Sequence, residues 1–257
     1  VPVLGRDELE SRGLESFADA ATGVLGLANR YDGMDLPGDS CRIVVLEGKP
    51  DAVGLQERFL SERADAHAAL SERIRTRIVQ GAGRTTRGPN DYAVVVVRGT
   101  DLTKYFSRAE NINALEPELQ AEIRFGWENS RTASPDDLID NVKTFLQHGA
   151  AWRDEGEPLV SEFREGATKV ETSGAEALER SAPLEVEAWQ LAFNGAWLEA
   201  SQKAQKAIEA LGSEATRGYR GLLSYLAAVW LHLGATDEAQ RARARELMRQ
   251  AHLVANR

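Results

Sequence analysis

Three short apolar runs stand out in the first hundred positions: Gly23–Ala28 (GVLGLA), Arg42–Glu47 (RIVVLE) and Tyr92–Arg98 (YAVVVVR). Each is nearly continuous rather than alternating, the pattern of a parallel-sheet strand covered on both faces. Between the last two, Val53–Arg87 has no proline, is rich in Ala, Leu, Glu and Arg, and closes on the breaker cluster Gly88-Pro89-Asn90-Asp91. That composition predicts a helical crossover joining parallel strands. Arg6–Ala20, with Leu9, Leu14 and Phe17 as candidate buried positions, predicts a helix ahead of the first strand. The order helix, strand, strand, helix, strand is that of an α/β layer. Three strands are few for a doubly wound sheet, which has about five or more, so the expectation is that further strands of this domain lie upstream of Val1.

From about Asn111 the pattern changes: no strand-like run follows, and Ala, Glu, Leu and Gln dominate, which predicts an all-α second half. Glu155-Gly156-Glu157-Pro158 and Thr172-Ser173-Gly174 read as loops, with helices from about Leu184 onward. Gly195, Trp197, Ala200, Ala204 and Ala207 resemble the small and aromatic spacing of a tetratricopeptide second helix, and Gly234, Ala239, Leu247 and Ala251 give a looser echo 39 residues later. Two copies are fewer than the roughly three a solenoid needs, so a pair of helical hairpins is expected. The chain therefore divides into an α/β part at 1–108 and a helical part at 109–257.

Composition sharpens the division. The chain is 42% hydrophobic and 28% charged, as a folded globular chain should be, with a net charge of −9. Residues 1–108 carry 15 Lys and Arg against 16 Asp and Glu, leaving 16 against 24 for the rest. The acidity sits in the helical half, so phosphate contacts are expected in the first. The single cysteine, Cys41, excludes an internal disulfide framework and points to a reducing, cytoplasmic setting. No apolar run reaches the roughly 18 residues of a membrane span.

Candidate chemistry lies in two stretches. In Ile78-Val79-Gln80-Gly81-Ala82-Gly83-Arg84-Thr85-Thr86-Arg87, a helix continuing at about 100° per residue would bring Gln80, Arg84 and Arg87 within about 60° of one another. An amide and two guanidinium forks suit a triphosphate, because Arg binds phosphate oxygens in a bidentate way and is always charged. The competing reading is a solvated Arg-rich helix end capped by Gly88. The second stretch, Ala28-Asn29-Arg30-Tyr31-Asp32-Gly33-Met34-Asp35-Leu36-Pro37-Gly38, follows the first strand directly, where ligand sites of open α/β sheets gather. An Asx-rich turn is the plainer account of it.

Together the two are more specific. Gln80-x-x-Gly83-Arg84-x-x-Arg87 is similar to helicase motif VI, and Tyr31-Asp32-Gly33-Met34-Asp35-Leu36-Pro37 is similar to motif V. They occur in the right order, and motif VI is followed at once by a strand. Residues 20–108 thus resemble the C-terminal RecA-like domain of superfamily 2 DEAD/DEAH-type (DinG-like) helicases. The resemblance implies that Arg84 and Arg87 reach ATP phosphates as arginine fingers, that Gln80 and Gly83 complete that segment, and that Asp32, Gly33 and Asp35 couple nucleotide to the bound strand. Asn29, Arg30 and Tyr31, an amide, a cation and an aromatic, would touch the nucleic acid.

The sequence also departs from the family. It has no G-x-x-x-x-G-K-[ST] and no DEAD or DEAH box, so the phosphate cradle and the Mg²⁺ ligands must come from an upstream RecA-like domain. ATP and Mg²⁺ are expected in the intact enzyme only, and this chain alone is not expected to hydrolyse ATP. The partners expected are DNA, or RNA as the other track, the upstream domain, and a protein partner for the helical half; a membrane is not among them. The competing class is a non-catalytic helical-repeat scaffold with a degenerate α/β domain. His67, His148, His232 and His252 lie too far apart for a metal-ligand spacing, so no metal site is expected. Neither G-x-S-x-G nor a supported Cys/His pair occurs. The five tryptophans read as packing anchors of the helices, and Arg241, Arg243, Arg245 and Arg249, interleaved with Glu238 and Glu246, as a solvated face.

Overall fold

The computed structural model describes residues 1–28, 36, 38–50, 54–62, 67–83, 91–172, 174–212 and 217–255. These residues are mostly helical, with four short strands. By contacts the chain divides into two compact units, Val1–Pro50 with Ile74–Val170, and Asp51–Arg73 with Glu171–Arg257.

In the first unit β1 (Val3–Leu4) pairs in parallel with β2 (Val24–Leu25), and β3 (Ile43–Glu47) pairs in parallel with β4 (Val94–Arg98), Ile43 opposite Val94 and Glu47 opposite Arg98. The parallel pairing expected for the second and third apolar runs is therefore present. Their expected burial on both faces is not: Ile43 and Val45 are 47% and 55% exposed, and Val95, Val96 and Val97 also face solvent. Only Leu46 of this pair joins the core, packing with Ile74, Ile78 and Val79 of helix α4 (His67–Ala82) and with Leu102, Tyr105 and Phe106 of α5 (Thr100–Phe106). A pair of strands with helices packed on one side cannot bury two faces.

The single helix expected over Arg6–Ala20 is two, α1 (Arg6–Arg12) and α2 (Glu15–Ala18), because Gly13 takes φ +74° between them. Only a residue without a Cβ enters that region cheaply. Phe17 still reaches the small core of Leu4 and Leu36. Between β3 and β4 the described helices are α3 (Leu55–Glu62) and α4.

After β4 every described element is helical, as expected: α5, α6 (Ala109–Asn113), α7 (Pro117–Ser130), α8 (Pro135–Gln147) and α9 (Glu157–Glu165) complete the first unit. Helices α6–α9, which the sequence reading places in the helical extension, thus fall by contact with the α/β part. Proline at N1 starts both α7 and α8, where a missing N–H costs nothing. A reciprocal capping box between Ser134 and Asp137 adds to α8. The fully buried Gln120 amide donates to the carbonyls of Leu115 and Thr168, fastening the chain after α9 to α7.

The second unit is built from α10 (Ala175–Phe193), α11 (Trp197–Leu211), α12 (Arg217–Gly234) and α13 (Glu238–Ala255), each packed on the next, so the expected helical hairpins are present. Small residues let the backbones approach: Ala188, Ala200, Ala204, Ala207, Ala227 and Ala228 are almost completely buried. Two serines use that closeness, Ser181 donating to the Ala207 carbonyl at 3.2 Å and Ser201 to that of Ala227 at 2.8 Å. A Cβ on Gly234 would stand 2.9 Å from the Trp197 Cβ and 3.0 Å from the Leu198 backbone nitrogen, which requires glycine where α12 ends against α11.

The Glu185 carboxylate accepts from both Ser181 and Tyr219, each at 2.5 Å. Burial first, and then the bond to Glu185, push the Tyr219 phenol well above its ordinary value of 10.0. A raised folded-state value means the contribution is fully present below pH 10 and is lost as pH rises beyond it. Tyr219→Phe should therefore lower the stability of the protein near neutrality by about 1 kcal/mol. It should also flatten the fall in stability above pH about 10, read from urea midpoints across a pH series.

Candidate functional site

Of the motif VI-like segment, Gln80 and Gly83 are described. Gln80 sits exposed in the last turn of α4, which ends at Ala82, and Gly83 follows it. The described helix ends at Ala82, and the face expected to unite Gln80, Arg84 and Arg87 falls outside the described residues. A Cβ on Gly83 would meet no atom within 4 Å, so packing within the described residues does not demand glycine there. Arg84 and Arg87 lie outside the described residues, as do Asn29, Arg30, Tyr31, Asp32, Gly33 and Asp35 of the motif V-like stretch. Leu36, next to that stretch, is buried with Leu4 and Phe17.

The chain downstream of Arg84 and Arg87 is held by a stack of side chains. Tyr92 precedes β4, and the Arg42 guanidinium lies over its ring, 4.0 Å from the centroid. The His148 imidazole stacks on the same ring at 4.1 Å with 16° between planes. A cation and an imidazole thus both pack against the Tyr92 ring. Arg42 Nη1 also donates to the Tyr92 carbonyl at 2.8 Å, while its Nη2 pairs with Asp39 at 2.9 Å. The Tyr92 hydroxyl donates to the Leu146 carbonyl at 3.3 Å. A cation over an aromatic face contributes about 0.5–2 kcal/mol according to its exposure.

The stack continues outward. Phe145 of α8 meets Tyr92 edge-on at 5.7 Å and Trp152 edge-on at 4.6 Å, and Trp152 in turn meets Phe125 of α7. His148 caps α8 at φ +50°, a left-handed conformation that side chains other than glycine adopt rarely, His among the less reluctant. Its Nδ1 is buried without a hydrogen-bond partner. The helix that resumes after it opens on a π-helical turn at Trp152–Gly156, marked by the Glu157 N–H donating to the Trp152 carbonyl. Such turns are rare and concentrate at functional sites. Glu155-Gly156-Glu157-Pro158, expected as a loop, is therefore helical, its proline tolerated in the first turn of α9.

Gly156 lies directly under the Trp152 ring, where a Cβ would come within 2.3 Å of ring carbon. Phe125 and Phe145 meet the Trp152 ring edge-on, so moving it aside breaks those contacts. Gly156→Ala should therefore destabilise the protein by about 1–3 kcal/mol, the usual cost of overpacking, despite alanine's better helix propensity. Thermal unfolding, with near-ultraviolet dichroism as a monitor of the indole, measures it.

Sequence reasoning missed this stack. It treated Tyr92 as a strand residue, His148 as one of four scattered histidines and Trp152 as a packing anchor. Phe145-x-x-His148-x-x-x-Trp152, at helical spacing, was the available signal. At the other ends of β3 and β4, Glu47 and Arg98 pair at 3.8 Å, and a Cβ on Gly99, which takes φ +94°, would lie 3.5 Å from the Gly48 backbone nitrogen. Among the described residues no three His, Cys, Asp or Glu side chains gather as a metal site, and no helix is long and apolar enough to cross a membrane. No family model, curated protein or solved structure matches the chain.

Proposed function

We propose that this chain is the C-terminal portion of an ATP-driven nucleic-acid helicase or translocase. Its α/β part, an incomplete RecA-like domain, supplies Arg84 and Arg87 to an ATP site completed by a P-loop-bearing domain. The observation that supports the reading is the parallel pairing of β3 with β4, with Gln80 exposed in the last turn of α4, which precedes β4 in the sequence. That is the order the motif has in the helicase family it resembles.

In this reading Gln80 and the glycines let the backbone approach the phosphates, and the two arginines stabilise the charge that spreads over the transferring γ-phosphoryl group. Mg²⁺ would be held by the other domain and would supply positive charge at the phosphates. By the resemblance, Asp32, Gly33 and Asp35 would couple the nucleotide to the strand being moved, and Asn29, Arg30 and Tyr31 would bind DNA or RNA. Because the cradle lies elsewhere, the purified 257-residue chain with MgATP and single-stranded DNA should release phosphate no faster than the buffer. Turnover by this chain alone, abolished by mutation within it, would refute the half-site assignment.

A second reading is favoured by one observation. Val186, Trp189 and Phe193, at helical spacing on α10, present an apolar stripe on which Phe193 is 84% exposed. Four helices packed in succession with such a stripe suit a tetratricopeptide-like protein-binding module. Should the arginines prove dispensable for ATP hydrolysis in the complete protein, a scaffold role for these hairpins becomes the better account.

A further inference from the structure

We propose that the exposed face of α10 docks an amphipathic helix of a partner protein, apolar along one side and carrying a Lys or Arg that pairs with Glu179. The inference rests on the protein-binding reading of the helical hairpins and is independent of Arg84 and Arg87.

Glu179, Ala182, Val186, Trp189 and Phe193 follow one another on α10 at spacings of three, four, three and four residues. That alternation is the seam along which one helix receives the side chains of another. All five residues are exposed, while Ala177, Ser181, Ala188 and Ala192 fill the buried side of the same helix. From Glu179 to Phe193 the seam runs about 21 Å, about four turns, which matches a helix of about 15 residues. Helix α12 borders it: Trp230 meets Trp189 edge-on at 5.1 Å, and the Tyr219 hydroxyl donates to Glu185. The Phe193 ring lies 6.0 Å from that of Trp189. Two neighbouring aromatic side chains thus stand ready as anchors, and binding energy concentrates at such residues.

The charges select the occupant. Exposed on α10 are Glu176, Glu179 and Glu187 against Arg180 alone. Arg180 pairs with Glu176, and Lys203 of α11 with Glu187. Among the described residues no cation pairs with Glu179. Because Glu179 stands in the seam, a helix laid along Val186, Trp189 and Phe193 covers its carboxylate too. A cation at that end of the partner offsets the water the carboxylate loses. A second α10 fits poorly, since a parallel copy sets Glu179 against another carboxylate and an antiparallel one sets it against Phe193. Nor does α13 invite a further copy to extend the array. Its side away from the buried Ala244, Leu247 and Ala251 carries Arg241, Arg245 and Arg249, paired with Glu238 and Glu246. A polar outer face ends a helical array.

The test titrates the 257-residue chain into fluorescently labelled helical peptides of about 20 residues, followed by anisotropy. The peptides carry Leu at alternating three- and four-residue spacing and differ only in Lys or Glu at the position that meets Glu179. The Lys peptide should bind, and Phe193→Ala should weaken it by about tenfold or more. The Glu peptide should bind about threefold to fivefold more weakly, and Glu179→Lys should reverse that preference. Leu253→Ala, an exposed apolar position on α13, should change nothing. Sedimentation of the chain alone runs alongside. If peptides bind but neither Phe193→Ala nor the charge exchange matters, the seam is overturned as the site and the protein-binding reading stands. Self-association abolished by Phe193→Ala, with no peptide bound, makes a second copy the occupant and overturns the proposal. A monomeric chain that binds no peptide overturns the proposal and the protein-binding reading together.

Discussion

Trp230→Ala is expected to lower the unfolding free energy by about 3–5 kcal/mol, the range for deleting a large aromatic from a packed interior. Trp230 is 5% exposed on α12, surrounded by Ala188, Ala192, Ala200, Ala204 and Ala227, with Trp189 edge-on at 5.1 Å. Alanines cannot lean into a vacated space, so the cavity should persist instead of collapsing. With total stability of a domain near 5–15 kcal/mol, the loss should leave the four-helix unit close to its unfolding midpoint under mild conditions. Trp189, 41% exposed, sits half in solvent, and Trp189→Ala should cost well under half as much. Urea unfolding followed by far-ultraviolet dichroism compares the two, and equal losses would contradict this picture of the core.

The helical unit was the more legible part because its pattern is local. The small residues that mark a close helix pair, Ala200, Ala204 and Ala207, recur at helical spacing, and the structure buries all three. Gly234 was recognised by its spacing, and its reason, the backbone of Leu198 three ångströms from where a Cβ would be, is visible only in three dimensions. The parallel pairing of β3 and β4 was legible from two apolar runs flanking a helical segment. Their exposure was not, since an apolar run reads the same whether or not other elements cover it.

The candidate site divides in the same way. Gln80 and Gly83 were singled out by a motif, which is local, and their placement at the end of α4 gives them accessible positions. The contacts of Tyr92 with Arg42 and His148 join residues 50 and 56 positions apart, and no periodicity links a loop tyrosine to a helix-capping histidine. The end of α4 at Ala82 could have been anticipated. Gly81 and Gly83, on either side of Ala82, each lower helix propensity by about 1 kcal/mol.

In the function proposed, Arg84 and Arg87 act on ATP held by another domain. In the polypeptide that carries both halves, Arg84→Ala and Arg87→Ala should each reduce kcat for DNA-stimulated ATP hydrolysis by about 10³-fold or more, the scale of an arginine finger. ATP binding should weaken far less, because the charge they stabilise develops in the transition state. The decisive measurement is single-turnover ATP hydrolysis, with ATP affinity measured separately by equilibrium binding. The account predicts a collapse of the chemical step in both variants with nucleotide still bound. Wild-type single-turnover rates in folded Arg84→Ala and Arg87→Ala proteins would contradict it.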